Sequence, residues 1–270
     1  MSNFKPGAPH KARKRFGQNF LTDHTVIDRI AAAVSPRPGD IVVEIGPGQG
    51  ALTEPLAAAA DILHVIELDR DLVPWLKVRF EKHPDFTLHQ CDALKFDFAT
   101  LVRDDNPLRI VGNLPYNIST PLIFHLLSFV GKVQDMHFML QKEVVKRMAA
   151  APGEKAYGRL SVMVQYYCQV DALFEVPPES FDPAPKVDSA IVRLTPHITL
   201  PHPAINISIL EQVVNTVFQQ RRKTLRNGLK NILNSEQLDT LTLDLTRRAE
   251  TLSLAEFVSL SDTIHQLLNS

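Results

Sequence analysis

The string Asn113-Leu114-Pro115-Tyr116 holds the residue types that activate an exocyclic amine on an aromatic ring. Such an amine is a poor nucleophile because its lone pair is delocalised into the ring. Two oxygens that accept its two N–H bonds draw the nitrogen toward tetrahedral geometry and restore that pair. The Asn113 side-chain oxygen and the Leu114 carbonyl are two such acceptors. Pro115 stiffens the turn and brings no competing N–H, and Tyr116 offers a flat face for a base to stack on. Four residues alone form a permissive pattern that arises by chance, so their weight depends on what precedes them.

Three strings precede them in order. Val42-Val43-Glu44-Ile45 runs into Gly46-Pro47-Gly48-Gln49-Gly50, an apolar segment entering a glycine-rich turn. The spacing is GxGxG, not the GxGxxG that sets a helix N-terminus on a pyrophosphate. Glu44 before the turn would repel a phosphate and suits a cationic ammonium or sulfonium. Alone, this string is equally a tight βα turn. Glu67, in Ile66-Glu67-Leu68-Asp69, has two oxygens to accept from both hydroxyls of a ribose, although acids also end strands for solubility. Asp92, in Gln90-Cys91-Asp92, either accepts from an adenine amino group or caps the helix that follows.

Elements that place these residues are legible as alternation. Apolar strand-like segments run over 41–45, 62–67, 86–90, 108–112 and 136–140, with stretches of helical length over 51–60, 71–82 and 120–130 between them. A helix precedes them, with Val26, Ile27, Ile30, Ala31 and Val34 on one face and Thr22 or Asp23 as its cap. This predicts an α/β, Rossmann-like domain with a mostly parallel sheet covered by helices. Segments 164–176 and 189–196 are expected as antiparallel edge strands. Seven of the 19 prolines fall between Pro177 and Pro203, marking a structured loop and a boundary near 197–205. Beyond it the pattern is helical, with a stripe of Ile209, Leu210, Val213, Val214, Val217 and Phe218. Next, Leu225, Leu229, Ile232 and Leu233 face one way, while Arg222, Arg226 and Lys230 at i, i+4 and i+8 form a cationic ridge on one helix. The expected division is therefore 1–200 and a small all-helical domain over 201–270.

Composition bounds the rest. With 44% hydrophobic and 22% charged residues, the 270-residue chain is neither disordered nor a disulfide scaffold. No apolar run is long enough for a membrane span, and the basic N-terminus lacks the apolar stretch of a secretory signal. Cys91 and Cys168 have no zinc-like spacing, which fits a reducing cytoplasm. A net charge of −1 argues against indiscriminate coating of nucleic acid. Yet Lys5, Lys11, Arg13, Lys14 and Arg15 lie within residues 1–22 with no acid. Arg221, Arg222, Lys223, Arg226 and Lys230 are likewise unaccompanied over 219–231. Two positive patches are expected, and they favour a polyanionic partner.

The ordered set EIGPGQG, IELD, QCDAL and GNLPY resembles the Rossmann-like S-adenosylmethionine methyltransferases that act on amino groups. Phe16-Gly17-Gln18-Asn19-Phe20-Leu21 and Phe181-Asp182-Pro183-Ala184-Pro185-Lys186-Val187-Asp188-Ser189 narrow this resemblance. Together they are similar to the ribosomal RNA adenine dimethyltransferases, the bacterial small-subunit branch in particular, over nearly the whole chain. The resemblance implies S-adenosylmethionine as cofactor. Asn19 and Leu21 would cover it, Gly46 and Gly48 line its methionine part, Glu67 hold the ribose, and Asp92 take the adenine amino group. Asn113 would stand between cofactor and target, with Leu114 and Tyr116 serving the same reaction. Phe181 is implied as a second stacking surface opposite Tyr116 for an extruded adenine. The alternative is that Phe181 packs beneath the proline-rich loop.

The same resemblance implies two methyls on each of two adjacent adenosines in the 3′-terminal hairpin of 16S rRNA, in the 30S subunit or its precursor. It implies a role in small-subunit biogenesis for a monomeric cytoplasmic enzyme with no metal and no membrane. The transfer would be an in-line displacement that requires alignment rather than a covalent intermediate. RNA affinity would come chiefly from phosphate contacts by the two basic patches, with Arg222, Arg226 and Lys230 of the helical tail forming the docking surface. A dinucleotide-dependent oxidoreductase would also place Glu67 on a ribose, but GxGxG and Glu44 disfavour it and NLPY goes unexplained. An RNA-docking assembly factor without chemistry is disfavoured by the intact acids and NLPY. A large-subunit dimethylase shares the catalytic strings, while FDPAPKVDS and the near-neutral charge point away from it.

Overall fold

The computed structural model describes residues 18–269. The expected N-terminal basic patch, Lys5 to Arg15, lies outside the described residues. In chain order the elements are β1 (Phe20–Leu21), α1 (His24–Val34), β2 (Ile41–Ile45), α2 (Thr53–Ala59), β3 (Ile62–Glu67), α3 (Val73–Arg79), β4 (Asp85–Gln90), β5 (Leu108–Asn113), α4 (Ser119–Leu127) and β6 (Val133–Gln141). There follow α5 (Lys142–Ala149), α6 (Arg159–Tyr167), β7 (Cys168–Val176), β8 (Phe181–Asp182), β9 (Ser189–Pro196), α7 (Ile207–Gln219), α8 (Leu225–Leu229), α9 (Ser235–Thr240) and α10 (Leu254–Leu268).

Seven strands form one sheet in the order β4-β3-β2-β5-β6-β9-β7. The pairs β2–β3, β2–β5, β3–β4 and β5–β6 are parallel, and β9 runs antiparallel to β6. The parallel strands β2 and β5 are buried along almost their whole length, which is why they read as continuous apolar runs. The chain moves outward from β2 to β4, then returns to β5 on the other side of β2. That reversal opens a crevice at the carboxyl ends of the strands, where such sheets bind ligands. On one face, Val42, Leu63, Val65, Val111, Met139 and Ile191 of the sheet pack with Val26, Ile27, Ile30 and Val34 of α1 and Leu56 of α2. Asp23 caps α1 by accepting from the Thr25 and Val26 amides, as the sequence predicts.

The amino ends of β5 and β6 carry a buried ion network. Arg109, 6% exposed, donates to both oxygens of Asp135 (2.7–3.2 Å) and to Asp40 at 2.9 Å. It also donates to the Val34 and Ser35 carbonyls that end α1. Burial alone would push the Asp135 carboxyl up, but the hydrogen bonds from Arg109 and the His137 ring nitrogen 3.6 Å away prevail and hold it below the usual range. The network ties the last turn of α1 to two strands.

The described chain divides into two compact units. One runs up to Val145 and takes in Asp171–Pro196; the other comprises Lys146–Val170 and the chain from His197 onward. Thus the helical unit is more than the tail beyond residue 200. Within it α6 packs with α7 and α10, and the Tyr157 hydroxyl donates to the Leu252 carbonyl at 2.9 Å. Residues 164–167, expected in a strand, complete α6 instead. Val162, Met163, Val164 and Tyr166 are buried there, so the aromatic and β-branched residues serve a helical face. The expected cationic ridge is also corrected. Helix α8 covers only Leu225–Leu229, and Arg222 belongs to the turn before it. Gly228, where a Cβ would lie 3.3 Å from Val217, lets that short helix pack closely on α7. Arg226 is paired with Asp239 at 2.6 Å.

Replacing Arg109 with Met should lower stability by about 3–5 kcal/mol, since it strands the buried Asp135 carboxylate and the half-buried Asp40. Urea unfolding measures this, and a loss below about 1 kcal/mol would show that the network is not a structural tie.

Candidate active site

A cavity of about 330 Å³ opens at the carboxyl ends of β2, β3, β4 and β5. Its lining includes Asn19, Leu21, Glu44, Gly46, Gly48, Glu67, Asp92, Asn113, Leu114 and Tyr116. The structure therefore brings together ten residues from strings spread over about a hundred positions. The glycine turn explains how. Gly46 and Gly48 adopt φ of +70° and +56°, a region that disfavours side chains. A Cβ on Gly48 would lie 3.0 Å from the Phe20 ring. The segment from Gln18 to Leu21 is thus laid against the turn, and its strand β1 pairs with β8, Leu21 opposite Phe181.

Two acids in the cavity wall are buried. Glu44 is 1% exposed, and its Oε2 finds no hydrogen-bond partner among the described residues. Burial, reinforced by the Glu67 charge, pushes its carboxyl up to about 8. Glu67 is pushed up to about 7, again by burial, against hydrogen bonds that favour its charge. Those come from the Asp69 amide to Oε1 at 2.7 Å and the Gly48 amide to Oε2 at 3.3 Å. Gln18 donates to Asp69 at 3.2 Å, linking the N-terminal segment to the same corner. Asp92 accepts from the Leu94 amide at 3.0 Å and caps the turn that follows, while still lining the cavity.

The loop after β5 is held at several points. Asn113 Nδ2 donates to the Asn19 carbonyl at 3.0 Å, which fixes the amide orientation and leaves Oδ1 as its acceptor end. The Leu114 amide donates to the Met139 carbonyl at 3.2 Å, and Ser119 Oγ donates to the Tyr116 carbonyl at 3.1 Å. The Tyr116 hydroxyl and Ser189 Oγ share a hydrogen bond of 2.7 Å. Two acceptors and one aromatic face are therefore positioned by groups from three elements and from the segment before β1.

Phe181 corrects the sequence expectation. It is 5% exposed, packs in the apolar cluster with Leu21, Val26 and Ile27, and does not line the cavity. Pairing of β8 with β1 turns its side chain into the core, so among the described residues the aromatic rings that line the cavity are those of Phe20 and Tyr116. Sequence reasoning missed Phe20, whose contact with Gly48 has no signal in spacing. It also left Ser189 without a role, although the quoted proline motif ends on it. Among the described residues, no three His, Cys, Asp or Glu side chains group as a metal site, and no helix is long and apolar enough to cross a membrane.

Sheet order, glycine turn and acid-lined crevice together define a class I, Rossmann-like methyltransferase domain. Residues 9–266 match the ribosomal RNA adenine dimethylase family. The chain is 59% identical to ribosomal RNA small subunit methyltransferase A of Marinomonas sp. (strain MWYL1), covering 95% of this chain and 96% of that protein. It is 60% identical to the protein of that name from Saccharophagus degradans, covering 97% and 98%. Among solved structures, a dimethyladenosine transferase from Plasmodium falciparum superposes with a TM-score of 0.74 at 27% identity, over 93% of this chain and 97% of that one. The 23S rRNA methyltransferase ErmE superposes with 0.71 at 25% identity, over 92% and 100%. The chain belongs to the ribosomal RNA adenine dimethylase family.

The raised acids set a pH dependence. Because both carboxyls keep protons that the unfolded chain releases, their contribution is fully present below about pH 4.5 and is lost as pH rises through about 7 to 8. Ligand-free stability should fall across that window, and Glu44→Gln should flatten the fall. Urea midpoints at about pH 5 and 8.5 measure it; an unchanged slope in the variant would assign the titration to other groups.

Proposed function

We propose that this chain is an S-adenosylmethionine-dependent enzyme that dimethylates N6 of two adjacent adenosines in the 3′-terminal hairpin of 16S rRNA. Its substrate is the 30S subunit or a precursor, and it acts as a cytoplasmic monomer during small-subunit biogenesis. The observation that carries this reading is the Asn113 amide, turned by Asn19 so that its oxygen is the acceptor beside a cavity walled by acids. Relatives at about 60% identity carry a small-subunit name, which favours that subunit over the large one.

The cavity suits the cofactor. Glu44 presents a buried oxygen that lacks a partner among the described residues, the complement of a cationic methionine group. Glu67 offers carboxylate oxygens to ribose hydroxyls, and Asp92 to an adenine amino group. Asn19, Leu21, Gly46 and Gly48 enclose the methionine part. When bound, the cofactor supplies an electrophilic methyl on sulfonium: the amine lone pair forms the N–C bond, the C–S pair returns to sulfur, and the surplus proton leaves to water. Asn113 Oδ1 and the Leu114 carbonyl accept the amine N–H bonds and raise the lone pair, while Tyr116 stacks on the base.

RNA binding rests on phosphate contacts from the helical unit, led by the exposed Arg222 and Lys230. Arg226 contributes less because it already faces Asp239. Each phosphate contact removed lowers the salt slope of affinity by about 1. The pair Arg222→Ala and Lys230→Ala should flatten it by about 2, and Arg226→Ala by less. An unaltered slope for the pair would move the docking surface elsewhere.

The decisive experiment is mass spectrometry of 16S rRNA in small subunits incubated with the protein and isotope-labelled S-adenosylmethionine. Dimethyladenosine at two neighbouring positions is expected. Asn113→Ala should reduce transfer by about 10²-fold or more while subunit binding, followed by co-sedimentation, persists. Full activity in that variant would refute the assignment.

A further inference from the structure

Ser189 opens β9 with no exposed surface, and its Oγ shares a 2.7 Å hydrogen bond with the Tyr116 hydroxyl. Tyr116 is half-buried and lines the cavity. Its backbone end is fixed by Ser119 Oγ on its carbonyl at 3.1 Å. The bond at the far tip of the ring therefore restrains the remaining freedom, the swing of the ring about its side-chain torsions. The anchor is firm: Ser189 pairs with Gln141 of β6, and the neighbouring Asp188 carbonyl accepts from the Lys142 amide at 3.0 Å.

The two methyl transfers to one adenine do not ask the same of this loop. A primary amine has two N–H bonds, and both the Asn113 oxygen and the Leu114 carbonyl are engaged. Once it carries a methyl, one N–H remains and one of the two acceptors is idle. Alignment of the base then depends more heavily on the stacking face. We propose that Ser189 is a positioning residue acting through Tyr116, and that the second methyl transfer to each adenine depends on it more than the first. This rests on the function proposed above; each transfer still forms one N–C bond, breaks one C–S bond and releases one amine proton to water.

The test uses the full chain with small-subunit rRNA and follows mono- and dimethyladenosine over time by mass spectrometry. Ser189→Ala and Tyr116→Phe delete the same hydrogen bond, worth about a three- to tenfold factor. Each should slow the second transfer relative to the first by that factor, so monomethyladenosine accumulates. The double variant should lose no more than either single one, since the two residues act as one unit. A readout independent of transfer is an rRNA fragment carrying 2-aminopurine at the target position. Its fluorescence, quenched by stacking on Tyr116 in the unaltered protein, should recover in both variants. Product ratios and quenching like those of the unaltered protein, or losses that multiply in the double variant, would overturn the inference. Should Ser189→Ala not fold, Tyr116→Phe keeps the ring and carries the test alone. An unaltered protein that methylates no rRNA would instead sink the function on which this rests.

Discussion

A side-chain amide has a donor end and an acceptor end, and only one can face an incoming amine. In this protein the hydrogen bond from Asn113 to the Asn19 carbonyl decides which. The nitrogen end would meet the amine N–H bonds with N–H bonds of its own; the oxygen end accepts them. Leu114 is fixed in a similar way, because donation to the Met139 carbonyl holds its peptide plane. The two acceptors thus depend on contacts with residues 19 and 139, one far before the loop and one well after it. The N-terminal segment therefore sets the orientation of the loop after β5, and its seating against a side-chain-free Gly48 is what permits that.

Much of this was legible because a parallel sheet buried on both faces writes itself as apolar runs. The runs over 41–45 and 62–67 coincide with β2 and β3, and the acids and amide at the strand ends fell at the crevice as topology requires. The illegible parts depend on tertiary pairing. Phe181 and Ser189 belong to one motif, and nothing in their spacing says which reaches the site. Strand β8 pairs with β1 and buries the first, while the register of β9 on β6 sets the second beside Tyr116. The cationic ridge failed for a related reason. Spacing of i, i+4, i+8 places charges on one face only if the helix continues, and here it spans Leu225–Leu229 alone. Residues 164–167 misled because aromatic and β-branched residues suit a buried helical face as well as a strand.

The two ends of the sheet treat charge in opposite ways. At the amino end, Arg109 meets Asp40, Asp135 and two backbone carbonyls, so the buried charges are matched by opposite charge and hydrogen bonds. At the carboxyl end, Glu44 and Glu67 are buried near each other with no matching cation among the described residues, and both are pushed toward the neutral form. Apolar residues at these positions would remove that conflict, so the acids are a local violation of the rules that stabilise the rest of the domain. Such violations are expected where a ligand completes the structure.

The conflict also has a direction. A neutral Glu44 gains little from a cation, whereas an ionised Glu44 is stabilised by one, so a cationic ligand draws the acid back toward its ordinary range and releases a proton on binding. Glu67 is already partly prepared for the ionised state by the Asp69 and Gly48 amides. Binding of a sulfonium nucleoside would thus settle the charges left unmatched in the ligand-free wall. Ligands that differ by one positive charge differ in how well they do so. A methylated donor would bring a sulfonium charge to the wall that holds Glu44; the neutral thioether left after transfer would not. Electrostatics at this end of the sheet would therefore favour the charged donor over its neutral product, to the extent that Glu44 is ionised.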